Sequence, residues 1–313
     1  MQVVKDNKAF DPPRARMVGF FKRGDLHFTT EVHLCFVCGA ADPVRGTPPS
    51  IRRQFLNWIE ANERKIVCVQ AENAVTDLLR QVDERKASKD LAVIEETIAA
   101  TVDSLLLFPE SPGSFAELGL FSANDAISQK MLVAVTHEHQ GDSFIILGPV
   151  KKINANSSFS PQPIIISEDR DASFSQIRTR LLGEERRANS YAKRYSHGEW
   201  KEYLPREQLA IIDKIVDLVG ILTEEDLFDL INKSFGKYEK SEIRLLVALL
   251  TTMGRIARTE MGDIVRVISG SKMPFIGGGG QDATEVKAAW TETYRQHVPD
   301  ANDEIEKRNH ELF

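Results

Sequence analysis

Glu117 is the residue best placed to do chemistry. It lies in Phe108-Pro109-Glu110-Ser111-Pro112-Gly113-Ser114-Phe115-Ala116-Glu117-Leu118-Gly119, directly after the apolar run Ser104-Leu105-Leu106-Leu107. An apolar strand, a Pro/Gly turn and a helix with a carboxylate in its first turn describe a crevice at the end of a parallel sheet, where open α/β folds bind ligands. Pro112, Gly113 and Ser114 would line that turn, since glycine lets a backbone approach a ligand and a helix N-terminus attracts phosphate. Ser114-x-x-Glu117 is equally a capping box, which begins many helices with no catalytic purpose.

A carboxylate in a first turn is favoured in its ionised form by the helix dipole and free amides. That suits a nucleophile or cation stabiliser, not a general acid. Cleavage of an N-glycosidic bond passes through an oxocarbenium-like state, which a fixed carboxylate near the anomeric carbon stabilises or traps. Nicotinamide leaves NAD as a neutral molecule with no acid, whereas a purine leaves well only when protonated. One obvious carboxylate therefore favours NAD as substrate, with no bound cofactor.

Other candidates flank the same crevice. Gly39-Ala40-Ala41-Asp42 follows the first strand, so Gly39, Ala40 and Asp42 could meet phosphate or ribose. Glu72 and Asn73 end the second strand, where a ribose hydroxyl is often held; Asp42 and Glu72 also read as caps or loop acids. Glu110 is a second carboxylate or a turn residue. His137 and His139 have no third ligand at suitable spacing, so no metal is expected.

The elements that must position these residues alternate in type. Val32 to Gly39, Lys65 to Gln70, Leu105 onward and Met131 to Thr136 read as strands; Ser50 to Asn62, Asp90 to Val102 and Ala116 to Asn124 read as helices. Such alternation implies an α/β doubly wound parallel sheet, with Ser143 to Leu147 and Pro163 to Ser167 as further edge strands. Residues 1–30 read as an N-terminal arm, 31–170 as the α/β domain, and 171–205 as a helical connector. In 206–275, three helices and a hairpin around Met261-Gly262-Asp263 form a winged-helix-like pattern, with Arg244 on the third helix. Residues 276–313 read as a glycine hinge at Gly277 to Gly280 and an acidic helical tail, in which Trp290 and Tyr294 could anchor a partner.

The 313 residues suffice for two domains. No apolar run approaches the roughly 18 residues of a membrane span. Met1-Gln2-Val3-Val4-Lys5-Asp6 lacks a signal-peptide core, so a cytoplasmic location is expected. Cys35, Cys38 and Cys68 sit in apolar segments and read as buried thiols. The net charge of −6 argues against indiscriminate nucleic-acid binding, but basic residues concentrate in the C-terminal half.

Pro-Glu-Ser-Pro-Gly-Ser-Phe-Ala-Glu-Leu-Gly resembles the Asp-Pro-Gly-Thr-x-x-Glu-x-Gly element of nucleoside deoxyribosyltransferases, with Glu117 on the catalytic glutamate. Ser111 stands where many of those enzymes have aspartate. The same element followed by a winged-helix-like region resembles the effectors of bacterial retron anti-phage systems, which join a deoxyribosyltransferase-like N-glycosidase domain to a DNA-binding-like domain. The resemblance implies a toxin of abortive infection that depletes NAD, restrained by a reverse transcriptase and its multicopy single-stranded DNA with non-coding RNA, an arrangement compatible with a higher-order assembly. The alternatives are a nucleoside or nucleotide deoxyribosyl hydrolase or transferase, and a non-catalytic nucleotide sensor acting through the winged helix.

Overall fold

Strand burial decides the architecture. β1 (His33–Cys38), β2 (Ile66–Val69), β3 (Ser104–Leu107), β4 (Met131–Thr136) and β5 (Ile164–Ile166) are largely apolar runs without polar alternation. Leu105, Leu106 and Leu107 are all fully buried, which requires a sheet covered on both faces. In the computed structural model the five strands pair in parallel in the order β2-β1-β3-β4-β5. It describes residues 4, 6–29, 31–41, 48–72, 91–139, 141, 143–183, 193–259, 262–266, 273–301 and 303.

On one face Phe55 of the Ile51–Asn62 helix meets Phe174 of the Arg170–Leu182 helix, ring centroids 5.5 Å apart. Elsewhere in the sheet's packing, Phe121 of the Pro112–Ala123 helix meets Phe36 of β1 at 6.2 Å. Cys38 lies opposite Leu107, so β1 and β3 end level. The chain places β2 on one side of β1 and β3 on the other. The C-terminal ends of β1 and β3 therefore form the switch point at which such sheets bind ligands.

The described residues fall into two compact units, divided differently from the expected segments. One holds 31–72 and 91–183; the other combines the N-terminal residues through 29 with 193 onward. Residues 1–30 are thus no separate arm. Their Asp11–Arg23 helix and Phe10 pack in the second unit, with the Phe10 ring 5.6 Å from Trp290 and 5.2 Å from Tyr294. Trp290 and Tyr294 are accordingly core residues of the Gly280–His297 helix, not anchors for a partner.

Two other expectations change for local reasons. Ser143 to Leu147 is helical from Phe144, not an edge strand, and a wide turn at Ile146–Val150 accommodates Pro149, which has no amide to donate. Gly277 to Gly280 is no hinge. Ile276–Gly278 pairs antiparallel with Leu26–Phe28, and Lys193–Arg194 pairs with the latter strand's other edge. Glycine is needed there because a Cβ on Gly278 (φ +89°) would lie 2.1 Å from the Asp25 carbonyl oxygen. Gly278→Ala should cost about 2–4 kcal/mol, against about 1 kcal/mol for Gly262→Ala, whose φ is +82° but whose surroundings are open. Urea unfolding of the two variants measures the difference, and equal losses would show that the close approach is relaxed cheaply.

The helices Pro205–Val219, Glu224–Phe235 and Lys240–Thr252 precede the antiparallel strands Ile256–Arg258 and Ile264–Arg266. Ile221–Leu222 adds a third strand beside Ile264–Arg266. The third helix buries Ile243 and every residue from Leu245 to Leu250. Arg244 is held by Glu224 at 2.8 Å, and Lys240 lies 3.3 Å from Glu225. That helix spends its apolar surface and its basic side chains within the unit, which leaves Arg244 poorly placed to read bases.

Candidate active site

Glu117 sits at the sixth position of the Pro112–Ala123 helix, beyond the first turn. The cap is made by Ser111, whose hydroxyl accepts from the Ser114 amide, while the Ser114 hydroxyl accepts from the amides of Ser111 and Glu110. The expected Ser114/Glu117 box is therefore replaced by a Ser111/Ser114 box. Pro112 occupies the start of the helix, where its missing amide costs nothing, and Ser114 is buried as part of the cap. Gly113 alone of the three leaves space, since among the described residues a Cβ there would meet only the Ser111 hydroxyl, at 3.9 Å.

Glu110 has a structural role. Its carboxylate accepts from the amides of Ile51 (2.9 Å), Arg52 (3.1 Å) and Ala40 (3.3 Å), filling the N-terminus of the Ile51–Asn62 helix with a negative charge. Gly39 packs on the same group, because a Cβ there would meet Arg52 at 2.9 Å and Glu110 Oε1 at 3.1 Å. Gly39 and Ala40 thus tie β1 to the β3 turn. Asp42 lies outside the described residues.

Around Glu117 the chain collects charge that its local sequence does not announce. Arg52 is buried and donates to Glu72 at 2.7 Å. Burial raises the Glu117 pKa to about 7; Glu95 and Glu72 push in the same direction, while Arg52 and a hydrogen bond from the Cys38 thiol oppose them. The Glu95 carboxyl is also raised, by burial and then by Glu72. The expectation that a helix N-terminus would hold Glu117 ionised is corrected, because dipole stabilisation fades beyond the first turn and burial dominates. Among the described residues Glu117 Oε2 and Arg52 Nε are buried without hydrogen-bond partners.

Such a carboxyl is poised between two forms near neutral pH. An approaching cation would draw out its proton and pair with the freed oxygen; a basic leaving group could instead take the proton. Glu117 is therefore competent for proton transfer as well as for charge stabilisation, and its exclusion as a general acid does not survive the structure.

The profile of the family described as STM3845 retron effector protein matches residues 48–258, from just before the Ile51–Asn62 helix to the end of the Ile256–Arg258 strand. The chain belongs to this retron effector family. Two curated Escherichia coli proteins are similar to it, both carrying the provisional name of ribosyltransferase/DNA-binding protein. The retron Ec73 protein is 25% identical over 229 residues, covering 69% of this chain and 72% of that protein. The retron Ec86 protein is 34% identical over 143 residues, covering 45% of this chain and 42% of that one.

Reading the effector's sequence for motifs missed Arg52, Glu95 and Cys38. A signal existed for Arg52: it shares the spacing i, i+3, i+4, i+7 with Phe55, Leu56 and Ile59, so a guanidinium lies on the apolar face of its helix. Glu95 likewise precedes the buried Ile98 and Ala99 by three and four residues. Charges on apolar faces mark sites where a buried partner or ligand is required.

Proposed function

We propose that this effector is an N-glycosidase toxin of a retron anti-phage system, cleaving NAD with water to nicotinamide and ADP-ribose. The observation that carries the reading is the unpaired, buried Glu117 oxygen beside Glu95 and Glu72. Three carboxylates against one arginine favour a ligand that brings positive charge to the anomeric carbon. The nicotinamide ring does so before the bond breaks, and the oxocarbenium-like sugar does so as it breaks. Glu117 stabilises that cation or captures it covalently, and Arg52 keeps Glu72 in place. Gly113 leaves room for the ribose or phosphate beside the helix start.

A second reading has its own support. With a pKa of about 7, Glu117 retains a proton on much of the population at neutral pH and could protonate a purine, which suits deoxyribosyl hydrolysis or transfer. A nucleotide sensor would use the same crevice without turnover. The relatives' names associate them with retrons and DNA binding, which supports an association with retron components. The restraint in this reading is a cytoplasmic complex with a reverse transcriptase, its multicopy single-stranded DNA and non-coding RNA. Among the described residues no helix is long and apolar enough to cross a membrane.

Nucleotide pools after expression of the chain alone test these readings together. We expect NAD to fall and ADP-ribose to rise, with both changes suppressed when the reverse transcriptase and non-coding RNA are co-expressed. Loss of purine nucleosides with NAD intact would favour the second reading, and unchanged pools with nucleotide binding would favour the sensor.

A further inference from the structure

The second unit contains a hollow that neither the glycosidase reading nor any motif employs. Its cavity volume is about 390 Å³, and its lining includes Lys22, Arg23 and Arg194 together with Tyr195, Ser196 and His197. Among the described residues no carboxylate lines it. Lys22 and Arg23 end the Asp11–Arg23 helix, where cations complement the dipole and would need no further explanation. Arg194 does not belong to that helix. It arrives from a segment some 170 residues away because Lys193–Arg194 pairs with Leu26–Phe28, placing Arg194 opposite His27.

The pairing brings together three cations with no ion-pair partner among the described residues. Their neighbours behave differently: Lys193 on the same short strand is bound to Glu207, and Lys201 pairs with Glu199 at 3.0 Å. Lys22, Arg23 and Arg194 are exposed, while Phe21 and Tyr195 form a buried floor. Burial lowers the His197 pKa, and the nearby Lys22 charge adds to the shift, so His197 can offer a neutral hydrogen-bonding edge. Two guanidinium groups and an ammonium around a small concavity match the oxygens of a phosphate, which arginine grips in bidentate fashion and lysine as a point charge.

We propose that this hollow is a binding site for a phosphate group, carried either by a nucleic-acid strand or by a free nucleotide. The site stands on its own geometry and does not depend on the chemistry of Glu117. A fluorescent single-stranded DNA oligonucleotide and ADP are the two probes, titrated at low salt into the full-length protein. The variants are Lys22→Ala/Arg23→Ala/Arg194→Ala and a charge-matched control at exposed positions, Lys8→Ala/Lys201→Ala/Lys237→Ala.

We expect the first variant to weaken strand or nucleotide binding at least about tenfold, and the control to leave it unchanged. If the strand is the ligand, the slope of log affinity against log salt should also flatten by about two, as loss of three single-strand phosphate contacts requires. Loss of oligonucleotide binding alone assigns the site to a strand, and loss of ADP binding alone assigns it to a nucleotide. Equal binding by wild type and the first variant would overturn the site while leaving a nucleoprotein partner to another surface. Failure of the wild type to bind either probe would overturn it as well, whereas cleavage at Glu117 is read separately from NAD consumption.

Discussion

Glu117→Gln is expected to abolish glycosidic cleavage while making the α/β unit more stable. The amide keeps the shape of the side chain but cannot supply the charge that stabilises a sugar cation, so NAD turnover should fall by at least about 10³-fold. Stability moves the other way because the folded protein holds this carboxyl at about 7, above the ordinary 4.5. A carboxyl raised on folding opposes folding once it ionises: the penalty is absent below about 4.5, grows up to about 7 and is constant above. Removing it should therefore stabilise the unit on the order of 1–2 kcal/mol at pH 8, after allowance for solvent screening, and not at all near pH 4. A site that sacrifices stability for chemistry behaves in this way.

The pH profile adds a separate measurement. If the ionised form acts on the sugar, kcat/KM for NAD should rise with pH through about 7. A fall over the same range would assign Glu117 the role of general acid and favour the purine reading. Equal NAD consumption by purified, folded wild type and Glu117→Gln would remove Glu117 from the chemistry altogether.

The second large effect belongs to the other unit and concerns folding. Arg255 and Asp213 form a buried two-point pair, Nε to Oδ1 at 2.8 Å and Nη2 to Oδ2 at 2.7 Å, with side chains 2% and 4% exposed. Arg255 also donates to the Met273 carbonyl at 3.2 Å and lies over the Phe275 ring at 3.8 Å. Asp213→Ala strands a guanidinium in this interior, and the expected loss is about 3–5 kcal/mol. Asp213→Leu/Arg255→Met should recover most of it, because an apolar pair leaves no buried charge to solvate. Denaturant unfolding of the single and double variants measures both values. A double variant as unstable as the single one would mean that packing, and not the stranded charge, sets the cost.

Much of the α/β unit was legible because its strands are apolar runs whose ends are marked by Gly, Pro and Asp. His33–Cys38, Ser104–Leu107 and Met131–Thr136 lie where a burial argument puts them, and Glu117 was singled out by the strand, turn and helix around it. The helical order of residues 205–252 was visible in the same way, from caps such as Thr223 and apolar spacing. These are local properties: periodicity reports which face of an element is apolar, and capping reports where it begins.

The tertiary structure decided what stands opposite each face. Glu117 has its raised pKa because burial and the charges of Glu95 and Glu72, from two other segments, act where Arg52 only partly compensates. Gly278 must be glycine because the Asp25–Leu26 backbone passes too close for a side chain, Gly277 packs directly on the His27 ring of the paired strand, and Trp290 packs inward because Phe10 meets it. Arg194 joins Lys22 and Arg23 through strand pairing between distant segments. Sequence alone determined the elements with a strong apolar period and clear caps, and the residue worth suspecting; desolvation and charge coupling depend on through-space neighbours, which only the fold brings together.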